Sequence, residues 1–142
     1  MPHRFSIDRT RPTPVYVQLQ EQIRLLVHRG VLKPGDLMPT VRSLAVELGV
    51  NANTVTRVYR ELQSQGVLRL ERGVGSFVAQ PTDAGQLART EFRQLDRRVR
   101  ELVQRSREAG LTFRELVQMV GSTWKEIEEA SRDGVEPASE GA

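Results

Sequence analysis

The apolar residues Val15, Leu19, Ile23 and Leu26 recur every three or four positions as far as Gly30. That spacing keeps one face of an α-helix apolar and predicts a helix of about four turns. Pro12 and Pro14 break the arm before it, and Lys33-Pro34-Gly35-Asp36 after it reads as a turn. Pro39 then holds the chain extended ahead of two short periodic segments. Val41, Leu44, Ala45 and Leu48 form the first stripe, and Val55, Val58, Tyr59 and Leu62 the second. Gly49-Val50-Asn51 separates them: Gly49 suits a left-handed helix end and Asn51 suits an N-cap, so the two helices meet at a tight turn. This is a helix-turn-helix pattern. Gly66 closes the second helix, after which Val67–Glu71 alternates at the period of a strand. Ser76–Ala79 supplies a second strand beyond Arg72-Gly73-Val74-Gly75, and together they predict a β-hairpin, or wing.

Pro81–Gly85 reads as a linker. Phe92, Leu95, Val99 and Leu102 then mark one long helix ending near Gly110. Thr112 and Glu115 have the spacing of a capping box. Behind it Phe113, Leu116, Val117, Val120, Trp124 and Ile127 keep a single stripe across Gly121, which favours one helix over two. The segment 133–142, rich in Gly, Pro, Ser and Glu, is expected to be disordered. The pattern therefore predicts a mainly α protein with a small β-hairpin. Its parts are a winged helix-turn-helix domain over 1–80, a two-helix tail over 81–132 and a disordered C-terminus. There is no internal repeat.

Composition narrows the chemistry. With 142 residues the chain suits one compact domain plus an appendage, and with no cysteine it has neither disulfides nor thiolate metal sites. No apolar run is long enough to span a membrane and no secretory signal opens the chain, so a cytoplasmic, nucleoid-associated protein is expected. Residues 1–80 carry 11 Lys and Arg against 6 Asp and Glu, whereas residues 81–142 carry 10 against 12. The positive charge sits on the helix-turn-helix half, as it does when that half alone meets a polyanion. Of the 21 basic residues 19 are Arg, first a sign of a GC-rich genome, although Arg also suits phosphate and guanine recognition. His3 and His28 lie far from any acidic cluster of ligand spacing, so no metal or cofactor is expected. Nothing resembles a Ser/His/Asp, Cys/His or paired-carboxylate arrangement, and an enzyme is the weakest of three function classes.

The second predicted helix of the pair can place its N-terminal edge in a DNA major groove. Its leading residues are Asn51, Ala52, Asn53, Thr54 and Arg57. Asn pairs with adenine in a bidentate fashion, Thr reaches a thymine methyl or a phosphate, and Arg forks onto guanine or phosphate. Arg42 and Arg72, with Gly73 at the wing tip, flank that edge. Asn51 also has a plainer role as a helix cap, and the two wing glycines one as turn formers.

At these residues the chain resembles the GntR family of bacterial transcription regulators, continuously from Phe5 to Val78. The resemblance runs through Pro14–Leu19, Leu32–Ala45, Leu48–Val55, Leu62–Leu68 and Arg72–Val78. It implies DNA contacts at Arg42, at the start of the recognition helix and at Arg72 and Gly73. Many members carry Arg where this chain has Ala52 and Thr56, so their contacts do not transfer to those two positions. The Asn51-Ala52-Asn53-Thr54-Val55 form and the 64 residues after Val78 resemble the YtrA-type branch with short tails. That resemblance implies a homodimer joined through the tail, an operator of pseudo-palindromic sequence, repression of transcription, and ABC-type transporter genes among the targets.

Two helices with little else to cover them bury too little apolar area to stand alone. Phe92, Leu95, Val99, Leu102, Leu116, Val120, Trp124 and Ile127 are accordingly expected at a dimer interface. The tail has too few elements to enclose a pocket within one subunit. If a small effector exists, its place is a cleft at the dimer interface lined by Trp124 or Tyr16. The competing reading is a protein–protein adaptor on a winged-helix scaffold, since fold alone does not give function; the basic balance of residues 1–80 counts against it.

Overall fold

A computed structural model describes residues 5–134, which separate at the Asp96/Arg97 junction into two compact units. The elements run α1 (Val15–His28), α2 (Val41–Leu48), α3 (Ala52–Ser64), β1 (Leu68–Glu71), β2 (Gly75–Val78), α4 (Asp83–Glu108) and α5 (Phe113–Asp133). The five helices and the hairpin match the mainly α class expected.

In the first unit α3 is the central element, because its stripe of Val55, Val58, Tyr59 and Leu62 is buried along its whole length. It packs against α1 through Leu19, Ile23 and Val27, and against α2 through Leu44 and Ala45. Val41 and Leu48, expected in the core by pattern, lie half-buried at its margin, as does Phe77 of β2. Phe5 of the opening arm and Leu32, Met38, Leu68 and Val78 complete the core. Each fully buried aliphatic side chain contributes about 1.5–3 kcal/mol relative to exposure, so this short list carries most of the unit's stability.

Local chemistry bounds α2 where the pattern predicts. Thr40 caps α2, its Oγ1 accepting from the Ser43 amide at 3.1 Å. Gly49 closes α2 at φ 65°, where any side chain would be strained. The Gly49 amide then reaches the Val46 carbonyl and the Val50 amide the Ala45 carbonyl. β1 and β2 pair antiparallel in the register Leu68↔Val78 to Glu71↔Gly75.

Two features depart from expectation. The stretch after the Lys33–Asp36 turn is more than a connector: Leu37 bridges Phe77, the Met38 amide donates to Ser76 O at 2.8 Å and the Gly35 amide to Val78 O at 2.8 Å. It acts as a third strand along β2, satisfying backbone groups that a two-stranded wing would leave to solvent. The linker expected over Pro81–Gly85 is also mostly helix. Thr82 Oγ1 accepts from the Gly85 amide at 3.1 Å, and Asp83 supplies the acid of the first turn of α4. A Thr cap followed by Asp is a helix start, and it outweighs the Gly and Pro that made the segment read as a loop.

The second unit holds the remainder of α4 and α5. Gly110 takes φ 83°, and the Leu111 amide closes back on Ser106 O at 2.9 Å. Thr112 and Glu115 form the predicted capping box, with the Thr112 amide donating to Glu115 Oε2 at 2.7 Å and the Glu115 amide to Thr112 Oγ1 at 3.2 Å. α5 continues through Gly121 as one helix. It includes Asp133, which was expected to begin a disordered segment; positions 135–142 of that segment lie outside the described residues. No described residue of α5 is buried, and in α4 only Ser106 is.

Candidate nucleic-acid interface

The α2–α3 turn places the expected contact residues on one exposed edge. Asn51 is the N-cap of α3: its Oδ1 accepts from the Asn53 amide at 2.8 Å. The plainer role is therefore the one its carbonyl oxygen performs, and only the amide nitrogen is left to face a ligand. Ala52 and Asn53 are exposed on the first turn, and the Asn53 side chain makes no hydrogen bond among the described residues. Thr54 is half-buried behind them. The four leading amides of a helix carry positive potential, so an exposed α3 N-terminus attracts a phosphate or base acceptor.

Arg57 lies one turn further along, with its guanidinium 3.9 Å from the centroid of the Tyr16 ring. That cation–π contact holds the planar fork in place while leaving the residue exposed. Arg42 stands on the first turn of α2 and Arg72 at the wing tip, both exposed and with no ion-pair partner among the described residues. Gly73 takes φ 76° in the tip, a turn requirement sufficient in itself to explain its presence. Arg69, by contrast, is paired with Glu71 at 3.1 Å and lies over the Phe77 ring.

Three positioning residues escaped the sequence reading. Arg9 of the arm donates to Gly49 O at 2.7 Å, covering a carbonyl at the C-terminal end of α2 within the helix-turn-helix turn. Gln18, buried on α1, accepts from the Asp8 amide at 3.0 Å and donates to the carbonyls of Asp8 and Thr13, which fastens the arm. Tyr59 donates its hydroxyl to Pro39 O at 2.7 Å, and burial pushes its pKa up, so it remains a neutral donor. A polar residue beside core Leu19 was the one available signal for Gln18; the partners of Arg9 and Tyr59 are 40 and 20 positions away and leave no periodic trace.

The residues expected at a dimer interface do not all behave alike. Phe92 is half-buried and stacked on His28 of α1, ring centroids 5.0 Å apart. Part of its surface is therefore covered within the subunit. Leu116 is half-buried, whereas Leu95, Val99, Leu102, Val120, Trp124 and Ile127 are exposed, Trp124 by 72%.

A capped recognition helix, a preceding helix with an unpaired arginine and a wing carrying another together define a winged helix-turn-helix DNA-binding protein. The model of the gntR family of bacterial regulatory proteins matches residues 15–78. The chain is 30% identical over 115 residues to the HTH-type transcriptional repressor YtrA of Bacillus subtilis, covering 81% of this chain and 88% of that protein. Among solved structures, YtrA from Sulfolobus acidocaldarius, a GntR-family transcription factor, superposes with a TM-score of 0.51 at 36% identity, covering 63% of this chain and 95% of that one. The DNA-binding domain of AraR in complex with operator ORX1 gives a TM-score of 0.50 at 30% identity, over 56% of this chain and 100% of that one. The chain belongs to the gntR family of bacterial regulatory proteins and is a DNA-binding transcription regulator similar to YtrA, not an enzyme. Among the described residues no helix is long and apolar enough to cross a membrane.

Proposed function

We propose that this regulator represses transcription by binding a pseudo-palindromic operator as a homodimer. In this reading residues 1–80 bind DNA and residues 81–132 hold the two copies together. The observation that carries it is the exposed N-terminus of α3, where, among the described residues, the Asn53 side chain has no partner and Arg42, Arg57 and Arg72 flank it unpaired by any carboxylate. Asn53 reads a base edge and Arg57 a guanine or phosphate. Thr54, Ala52 and the Asn51 amide nitrogen line the approach, and Arg42 with Arg72 and Gly73 holds the backbone.

The second copy is the partner that suits the tail. Leu95, Val99 and Leu102 line one face of α4 and Val120, Trp124 and Ile127 one face of α5, all of them exposed apolar residues. Symmetric pairing covers the same face on both chains and sets two recognition helices against two half-sites. In keeping with the resemblance to the short-tail branch, transporter genes are among the targets in this reading, reached in the cytoplasm at the nucleoid. Selection of random duplex DNA on the purified protein, followed by a salt titration of the winning sequence, tests the reading. The expected outcome is an enriched inverted repeat whose affinity falls steeply with salt, by a logarithmic slope of about −0.9 per phosphate neutralised. Enrichment of no sequence by a folded dimer favours the adaptor reading instead.

A further inference from the structure

The first unit also holds a groove of about 550 Å³ beside α1 and the start of α4, a volume within the range of small-molecule sites. Its apolar lining is Leu25 and the stacked pair of His28 and Phe92, whose planes lie 26° apart. Its charged lining is Arg11 and Arg24 against the single carboxylate of Glu21, which leaves one uncompensated positive charge. Beyond the lining, Asp8 acts on Arg11 and Arg89 acts on His28, and these two cancel in sign. The remaining polar residues of the lining, Gln18 and Gln22, are committed to the arm: Gln18 to Asp8 and Thr13, Gln22 to the amide and carbonyl of Ser6. Among the described residues the two guanidinium groups, together with the His28 ring, whose buried Nδ1 has no partner, are thus the uncommitted polar groups of the lining.

We propose that this groove binds a small flat organic acid, a monocarboxylate borne on an aromatic ring system. Its carboxylate lies on Arg24 and Arg11 and its ring lies against Leu25 and the His28–Phe92 stack. An arginine fork meets a carboxylate through two parallel charge-assisted hydrogen bonds, and an added ring extends an existing offset stack at little ordering cost. Glu21 opposes a second negative charge, which selects monoanions. The groove differs from the inter-subunit cleft at Trp124 or Tyr16 that the sequence pointed to, and it is built within one compact unit. Arg11 also stands two residues from Arg9, whose guanidinium sits on Gly49 of the helix-turn-helix turn. A ligand that draws Arg11 inward therefore acts on the segment that holds α2 against α3.

Calorimetric titration of the full chain, without DNA, with 1-naphthoate and its neutral isostere 1-naphthamide tests the site. Naphthoate is expected to bind at least about tenfold tighter than the amide, the minimum for a charged hydrogen bond. Arg24→Gln and Arg11→Gln, both at exposed positions, are each expected to remove that preference while leaving amide binding unchanged, and the His28 ring resonances are expected to shift on binding. Equal affinity for the two ligands, undiminished preference in both variants, or no heat and no His28 shift at millimolar ligand would overturn the proposal. Only the coupling to the arm rests on the DNA reading above. Operator affinity is expected to change at saturating naphthoate in the wild type and to stay constant in Arg24→Gln, and a constant wild-type affinity overturns that link alone.

Discussion

The two compact units solve the burial problem in opposite ways. In the first, Leu19, Ile23, Leu44, Val55, Val58, Leu62 and Val78 are fully buried by residues of the same chain. In the second, α5 carries as clear an apolar stripe yet buries none of its described residues, and Phe113 and Trp124 are exposed by 81% and 72%. Periodicity alone does not distinguish them, because an amphipathic helix announces only that one face needs a partner. The difference is in the supply of partners: two helices, a hairpin and an arm converge on α3, whereas α4 and α5 have few neighbours to offer each other.

That contrast can be broken at its two extremes. Leu62→Ala, at a fully buried position, is expected to destabilise the protein by about 2–5 kcal/mol. Urea unfolding would show this as a lowered midpoint with little change in slope. In the proposed dimer Trp124→Asp is expected to act through association: a charge in the middle of the uncovered stripe raises the dissociation constant by about a hundredfold or more. Sedimentation at micromolar concentration would then give a monomer with an unchanged far-ultraviolet helix signal. A variant that stays dimeric would show that the stripe faces something other than a second copy.

The edge proposed to face DNA permits a finer division between reading and gripping. Asn53→Ala is expected to cost about 1–3 kcal/mol on the selected operator and to relax base preference at one position of each half-site. Arg42→Ala is expected instead to weaken all duplexes alike and to flatten the salt slope. Competition with scrambled DNA at two salt concentrations separates the two. An unchanged operator affinity for Asn53→Ala would mean that α3 docks by another edge.

The smallest effect expected is electrostatic. Burial, aided by Arg24 and Arg89, lowers the pKa of His28 below its ordinary value of 6.5, so folding favours the neutral ring. Between the folded and unfolded pKa values the unfolded chain binds more protons, so stability rises with pH there. The contribution of neutral His28 is complete above about pH 6.5 and is lost as pH falls through the depressed folded value. His28→Gln is expected to flatten the profile of thermal midpoint against pH in that window, and an unaltered profile would show that the ring does not titrate differently on folding.

Much of the first unit was legible before any coordinates. The stripe Val55, Val58, Tyr59 and Leu62 gave α3, Gly49 and Asn51 gave the turn before it, and Arg72–Gly75 gave the wing tip. The capping pair Thr112 and Glu115 placed the start of α5 to the residue. At Pro81–Gly85 the Gly and Pro content suggests a linker, but the Thr82 cap and Asp83 carry the stronger helix signal there. For the contact edge, residue type and spacing put Asn53, Arg42 and Arg72 on exposed surface, but whether Asn51 caps or reaches outward depended on where its Oδ1 points.

What the sequence by itself determined is what local forces settle. Helix faces follow from a period of 3.6, caps from side chains two or three residues from the amides they satisfy, and the hairpin from a glycine turn between alternating segments. The tertiary structure alone decided the pairings made across long loops. These include residues 35–38 laid along β2, Arg9 on the Gly49 carbonyl, Tyr59 on Pro39, and His28 stacked on Phe92 to wall the groove. Such contacts join positions whose separation has no period and whose residue types are common on any surface. Their energy arises only once the chain has closed its loops around α3, and no local pattern can encode them in advance.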